Sequence, residues 1–174
     1  DLWADKALEL FRGQGDLLSA KAVATVRTRD RKAAMDLSDA GLAARGSSAY
    51  RWLVRGEILL AGGPGNTSAC FDRALLEPDA DWFTRVWVAR IFSRYGQHTN
   101  AVVTARAASE MEPRSPYAWY IRGFCERSLA ISTYRDSFRR ALELDGTFVL
   151  ARSALREPAE ASWLKRWLRR VRRT

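Results

Sequence analysis

The chain has 174 residues, of which 47% are hydrophobic, enough for a domain with a sizeable core and too apolar for a disordered segment. Its net charge of +9 is unevenly placed: from Arg156 to Thr174 seven basic residues stand against two acidic ones, so the tail carries +5 of the total. Two cysteines without a CxxC partner exclude a disulfide framework or a zinc site, and the absence of an apolar run of 18 residues excludes an expected membrane span.

Taken in chain order, helical segments alternate with turns at a fixed period. Residues 1–12 read as the second helix of a unit whose first helix lies further upstream. With a start at Asp1 rather than methionine, this suggests a piece of a longer array. Full units are expected at about 15–47, 48–80, 81–114 and 115–146, with a last helix at 147–156. Ala7, Ala40, Ala74, Ala108 and Ala141 recur at spacings of 33, 34, 34 and 33. Ala4, Leu37, Phe71, Ala105 and Phe138 precede them by three residues. A second series, Gly56, Ala89, Gly123 and Ala154, runs half a period away. In "YRWLVRGEILLA" and "AWYIRGFCERSLA" the apolar residues fall three and four apart, as on a helix with one buried face. Ser115 and Pro116 read as an N-cap and a first helical residue.

The glycine-rich run "AGGPGNTSAC", residues 61–70, has the look of a phosphate-binding loop. Such a loop needs a lysine that reaches the phosphates, between a strand and a helix. Here Asn66 holds the lysine position and the preceding segment is in phase with a helix. The run is therefore an expected turn between helices, with Asn66 or Thr67 capping the next one. No other catalytic motif stands out. The one histidine, His98, falls at an expected turn, and Cys70 and Cys125 fall on helix faces expected to be buried. Glu110 and Glu112 lie at a helix end beside Pro113, Glu112 as a cap. No enzyme activity, metal or cofactor is expected of this segment, and a cytoplasmic setting fits its sparse cysteines.

Trp52, Gly56, Phe71, Ala74 and Pro78 resemble the motif of the tetratricopeptide repeat (TPR) family. Ala89, Phe92, Gly96, Ala101, Ala105, Ala108 and Pro113 match it one unit later, and Trp119, Gly123, Tyr134, Phe138 and Ala141 in a third, with Gly146 where the terminal proline belongs. Residues 16–47 match weakly, through Ala33, Leu37 and Ala40. The resemblance implies an all-α, right-handed superhelical solenoid of antiparallel helix pairs over residues 1–156. It also implies a protein-interaction scaffold that takes a partner's peptide or helix in a concave groove.

Counting from the small residues of each first helix gives the expected groove. Tyr50, Leu53 and Glu57 come from one unit, Phe83, Val86, Arg90 and Arg94 from the next, and Tyr117, Tyr120, Phe124 and Arg127 from the third. Aromatic anchors beside arginines suit a partner segment with acidic and hydrophobic residues. Leu53 and Glu57 stand where chaperone-tail binders of the family carry Lys and Asn, which disfavours that role.

The tail, residues 157–174, is an expected amphipathic helix. At roughly 100° per residue, Trp163, Leu164, Trp167, Leu168 and Val171 share about 140° of arc. Lys165, Arg166, Arg169, Arg170, Arg172 and Arg173 fill the rest. Such a helix can cap the last repeat, lie on an anionic membrane surface as a peripheral adaptor, bind nucleic-acid phosphates together with the groove arginines, or dock on a partner domain. The sequence leaves these open, as it does the oligomeric state.

Overall fold

The computed structural model describes residues 14–27, 30–63 and 67–156. Within them the fold is all-helical: α1 Gly15–Arg27, α2 Arg31–Ala43, α3 Ala49–Ala61, α4 Ser68–Leu76, α5 Trp82–Arg94, α6 His98–Met111, α7 Pro116–Ser128, α8 Tyr134–Leu144 and α9 Val149–Arg156. The chain divides into two packed units, Asp1–Ile91 and Phe92–Thr174.

In the first unit α1 packs on α2 and α3, and α3 on α4. A guanidinium ties the pieces together. Buried Arg51 donates through Nε to Asp16 at 2.8 Å and through Nη1 to the carbonyls of Ala44, Arg45 and Gly46, at 3.2, 3.3 and 2.6 Å. It thereby satisfies carbonyls just beyond α2 that the helix leaves without partners. Ser48 caps α3, accepting the Arg51 N–H, and Asp79 Oδ1 accepts the Ala49 N–H at 2.9 Å. At the far end, α3 stops at Gly62, and Gly63 has φ +119, a conformation that favours glycine. The glycine-rich run thus leads from α3 to α4. Thr67 holds the N-cap position without a capping hydrogen bond through its side chain, and Asn66, the other expected cap, lies outside the described residues.

The weak unit differs from its expected register. Ala34, Ser38 and Gly41 are the buried positions of α2, each one residue after the expected Ala33, Leu37 and Ala40. Ala40 is exposed. A β-carbon on Gly41 would stand 2.7 Å from Ser19 Oγ, so glycine lets α1 and α2 approach there. Ala22, fully buried, lies 34 residues before Gly56 and extends the small-residue series into α1.

In the second unit α6 packs on α7, α7 on α8, and α9 on both α8 and α7. Ser115 caps α7, accepting the Ala118 N–H, with Pro116 in its first turn, as expected. His98 is the first residue of α6 rather than part of a turn. Glu112 ends α6 and accepts the Arg114 N–H at 3.2 Å. A buried carboxylate joins three helices: Glu126 Oε1 accepts from Arg106 Nε and Arg122 Nε, each at 3.1 Å, and Oε2 from the Ser137 hydroxyl at 2.8 Å. The ion pairs and hydrogen bonds compensate the cost of burying that charge. Arg122 also lies over the Trp119 ring, 4.9 Å from its centre.

Candidate interaction surface

α5 begins with a reciprocal cap: the Thr84 N–H donates to Asp81 Oδ1 at 2.8 Å, and the Asp81 N–H to Thr84 Oγ1 at 3.2 Å. Its phase brings Phe83 and Trp87, four residues apart, onto one face. Their ring centres are 5.9 Å apart, and Tyr50 of α3 meets Trp87 at 5.4 Å. Trp82 packs edge-on against Phe83 at 5.6 Å. Tyr50 also rests on the core cluster of Ala22, Ala34, Val54 and Ile58. Phe83 is 42% exposed and Trp87 37%, large values for aromatic side chains. Arg90 is exposed on the same helix. The result in this unit is an aromatic surface backed by core.

Three residues expected beside it are elsewhere. Leu53, Glu57 and Val86 are buried, so they offer little surface to a partner, and this corrects their assignment. Trp87 went unnoticed because positions are counted from Ala89. The residues at the same register in other units, Val54 and Ile121, are core.

In the second unit Arg94 is exposed. Tyr117, Tyr120 and Phe124 are half-buried and follow one another along α7, with ring centres 6.3 and 6.4 Å apart. Tyr120 also meets Phe138 and Phe148, at 5.8 and 5.7 Å. Arg127 sits over Phe138, 5.6 Å from the ring centre, and its Nη1 donates to the Ala154 carbonyl at 3.4 Å. It holds the last turn of α9 against α7, a structural role that the sequence count did not include.

Burial pushes the Cys125 thiol up to about 12, with the Glu126 carboxylate adding to the effect. Cys70 is only half-buried; burial raises its thiol above the ordinary value, an effect that the Arg55 charge offsets only in part. Among the described residues, no three His, Cys, Asp or Glu side chains form a metal-binding group, and no helix is long and apolar enough to cross a membrane. The basic tail residues Lys165, Arg166, Arg169, Arg170, Arg172 and Arg173 lie outside the described residues, as do residues 1–12.

No protein-family model matches the chain, and no curated protein matches it significantly. Solved structures do. YrrB, described as a TPR protein with an unusual peptide-binding site, is similar with a TM-score of 0.57 at 20% identity, over 88% of this chain and 80% of that one. A double mutant of MamA, labelled RS-1 ArsTM, gives a TM-score of 0.56 at 15% identity, over 82% and 81%.

Proposed function

From the premise that the chain has the tetratricopeptide-repeat fold, we propose that it is a non-catalytic interaction scaffold whose aromatic surface takes a segment of a partner protein. The observation that carries this is the exposed pair Phe83 and Trp87, braced by Tyr50. Rigid aromatic side chains lose little entropy on binding and bury much area, which makes them common hot spots. Arg90, exposed on the same helix, can donate two parallel hydrogen bonds to a carboxylate. The partner segment is therefore one with apolar side chains next to acidic ones. That YrrB, of the same fold, is described as having a peptide-binding site supports the reading.

The test is selection of displayed peptides on the nuclease-treated chain at physiological salt. Enriched peptides should combine apolar and acidic residues. Their affinity should fall about tenfold or more, ~1.4 kcal/mol, when Phe83 and Trp87 are both replaced by Ala, and less with Arg90→Glu. A version ending at Arg156 should bind as well as the full chain. Peptides that bind the aromatic double variant equally would overturn the assignment. Steeply salt-dependent binding of an oligonucleotide, with no peptide enriched, would move the function to the cations.

A further inference from the structure

The aromatic surface of the first unit is assembled from two helices: Tyr50 stands in the first turn of α3, Phe83 and Trp87 on α5. One side chain ties the start of the first to the approach of the second. Asp79 lies in the connection between α4 and α5, and its Oδ1 accepts the N–H of Ala49, the first residue of α3 and the neighbour of Tyr50, at 2.9 Å. That N–H has no acceptor within its own helix. A carboxylate at this place also answers the positive end of the helix dipole, and a hydrogen bond to a charged acceptor is of the stronger kind. The connection is fixed just after Asp79. The Ala80 N–H donates to the Glu77 carbonyl at 2.9 Å, and Asp81 and Thr84 exchange the hydrogen bonds that open α5.

The second unit supplies an internal comparison. The offset of 67 residues that relates Gly56 to Gly123 and Phe71 to Phe138 also takes Ala49 to Pro116, Tyr50 to Tyr117, Asp79 to Gly146 and Trp87 to Ala154. Pro116 has no N–H to donate, and Gly146 has no carboxylate to receive one. Ala154 offers no ring, and Tyr117 stacks instead on Tyr120 of its own helix, with ring centres 6.3 Å apart. Donor, acceptor and facing tryptophan thus stand together in the first unit and are replaced together in the second. Granting that the aromatic surface takes the partner segment, we propose that Asp79 is its positioning residue. By holding the first residue of α3 to the connection that leads into α5, Asp79 keeps Tyr50 against Trp87, so that the rings meet a partner as one preformed face. Rings already in place lose less freedom when the partner docks.

The test follows the Tyr50 ring in the full, tyrosine-labelled chain by nuclear magnetic resonance, with Trp87→Ala defining how much of its chemical shift the Trp87 ring supplies. Asp79→Ala should remove most of that contribution while the helical circular-dichroism spectrum is kept. Asp79→Asn, whose amide oxygen accepts the same N–H, should retain it. Ala49→Pro combined with Asp79→Gly, the pair found at 116 and 146, should remove it without unsettling α3. Proline suits a first helical position, and Ser48 before it is already extended, with φ −147° and ψ 146°. The tightest displayed peptide of the selection above gives a second readout. Asp79→Ala and Tyr50→Ala should each weaken its binding about threefold or more, and the two together hardly more than either. A Tyr50 shift that survives Asp79→Ala or the double change would overturn the proposal, as would its full loss in Asp79→Asn or losses of affinity that simply add. If no peptide is enriched, the scaffold reading fails by itself, and the ring shift still decides whether Asp79 holds Tyr50.

Discussion

Phe71 lies on Gly56 so closely that a β-carbon on the glycine would stand 2.6 Å from the ring. Phe138 repeats the relationship on Gly123, at 2.7 Å, in the other unit. In both places a small residue on the first helix lets the aromatic of the second seat against the backbone.

Gly56→Ala and Gly123→Ala should therefore both destabilise, although alanine is the better helix former by about 1 kcal/mol. Overpacking costs about 1–3 kcal/mol. The Gly123 change should cost more, because the Tyr134 carbonyl also lies 3.0 Å from the added carbon and cannot swing away as a side chain does. Phe138→Ala leaves a cavity and should cost about 3–5 kcal/mol. Urea unfolding of the three variants checks both the size and the order.

Glu126 is fully buried, while the Arg106 and Arg122 side chains that pair with it retain solvent contact. Removing the arginines should thus hurt more than removing the acid. Arg106→Met with Arg122→Met leaves a buried charge held by Ser137 alone and should cost about 3–5 kcal/mol. Glu126→Gln should cost less, since the amide still accepts the Ser137 hydroxyl and the arginines can turn to water. Equal losses in denaturant melts would contradict this ordering.

The Cys125 thiol should be inert. With its pKa near 12 it carries almost no thiolate at pH 8, and it is buried. An aromatic disulfide reagent should titrate Cys70 first in the native chain, and Cys125 only after denaturant. The shift also sets a pH window. The folded thiol keeps its proton above its ordinary value of 9.0, where the unfolded thiol releases it. The stabilising contribution is present below pH 9 and falls as pH rises from there toward 12.

At the C-cap of α8, Asp145 accepts the Thr147 hydroxyl at 2.6 Å and the Thr147 N–H at 2.9 Å. These bonds, the hydroxyl first, hold its carboxyl below the usual 3.8. The contribution is present above the unfolded value and is lost as pH falls through the lowered folded one. Thr147→Val should raise the Asp145 midpoint in a carbon-detected titration. An unchanged midpoint would show that the hydroxyl is not the cause.

Much of the fold was legible because repeat packing leaves a periodic signature. Ala74, Ala108 and Ala141 fall at buried positions, and Gly56 and Gly123 at close helix contacts. The weak unit misled because Ala33, Leu37 and Ala40 imitate the pattern one residue early. The packed surface instead uses Ala34, Ser38 and Gly41, whose polar and glycine members carry little hydrophobic signal. The surface was less legible than the core. Tyr50 and Phe83 join one aromatic patch, but Leu53, Glu57 and Val86 are buried, and Trp87 takes the place expected of Val86.

By itself, the sequence determined the helices, their period and the small residues at which they meet, because each of these is set by local spacing along one helix. The tertiary structure alone decided which aromatic side chains remain exposed, that Arg127 locks α9 by its Ala154 carbonyl, and that Glu126 joins α6, α7 and α8. Periodicity gives the angle of a side chain around its own axis. Whether that angle meets water or a neighbour depends on where the next helix crosses, and that is settled by the packing of side chains far apart in the chain.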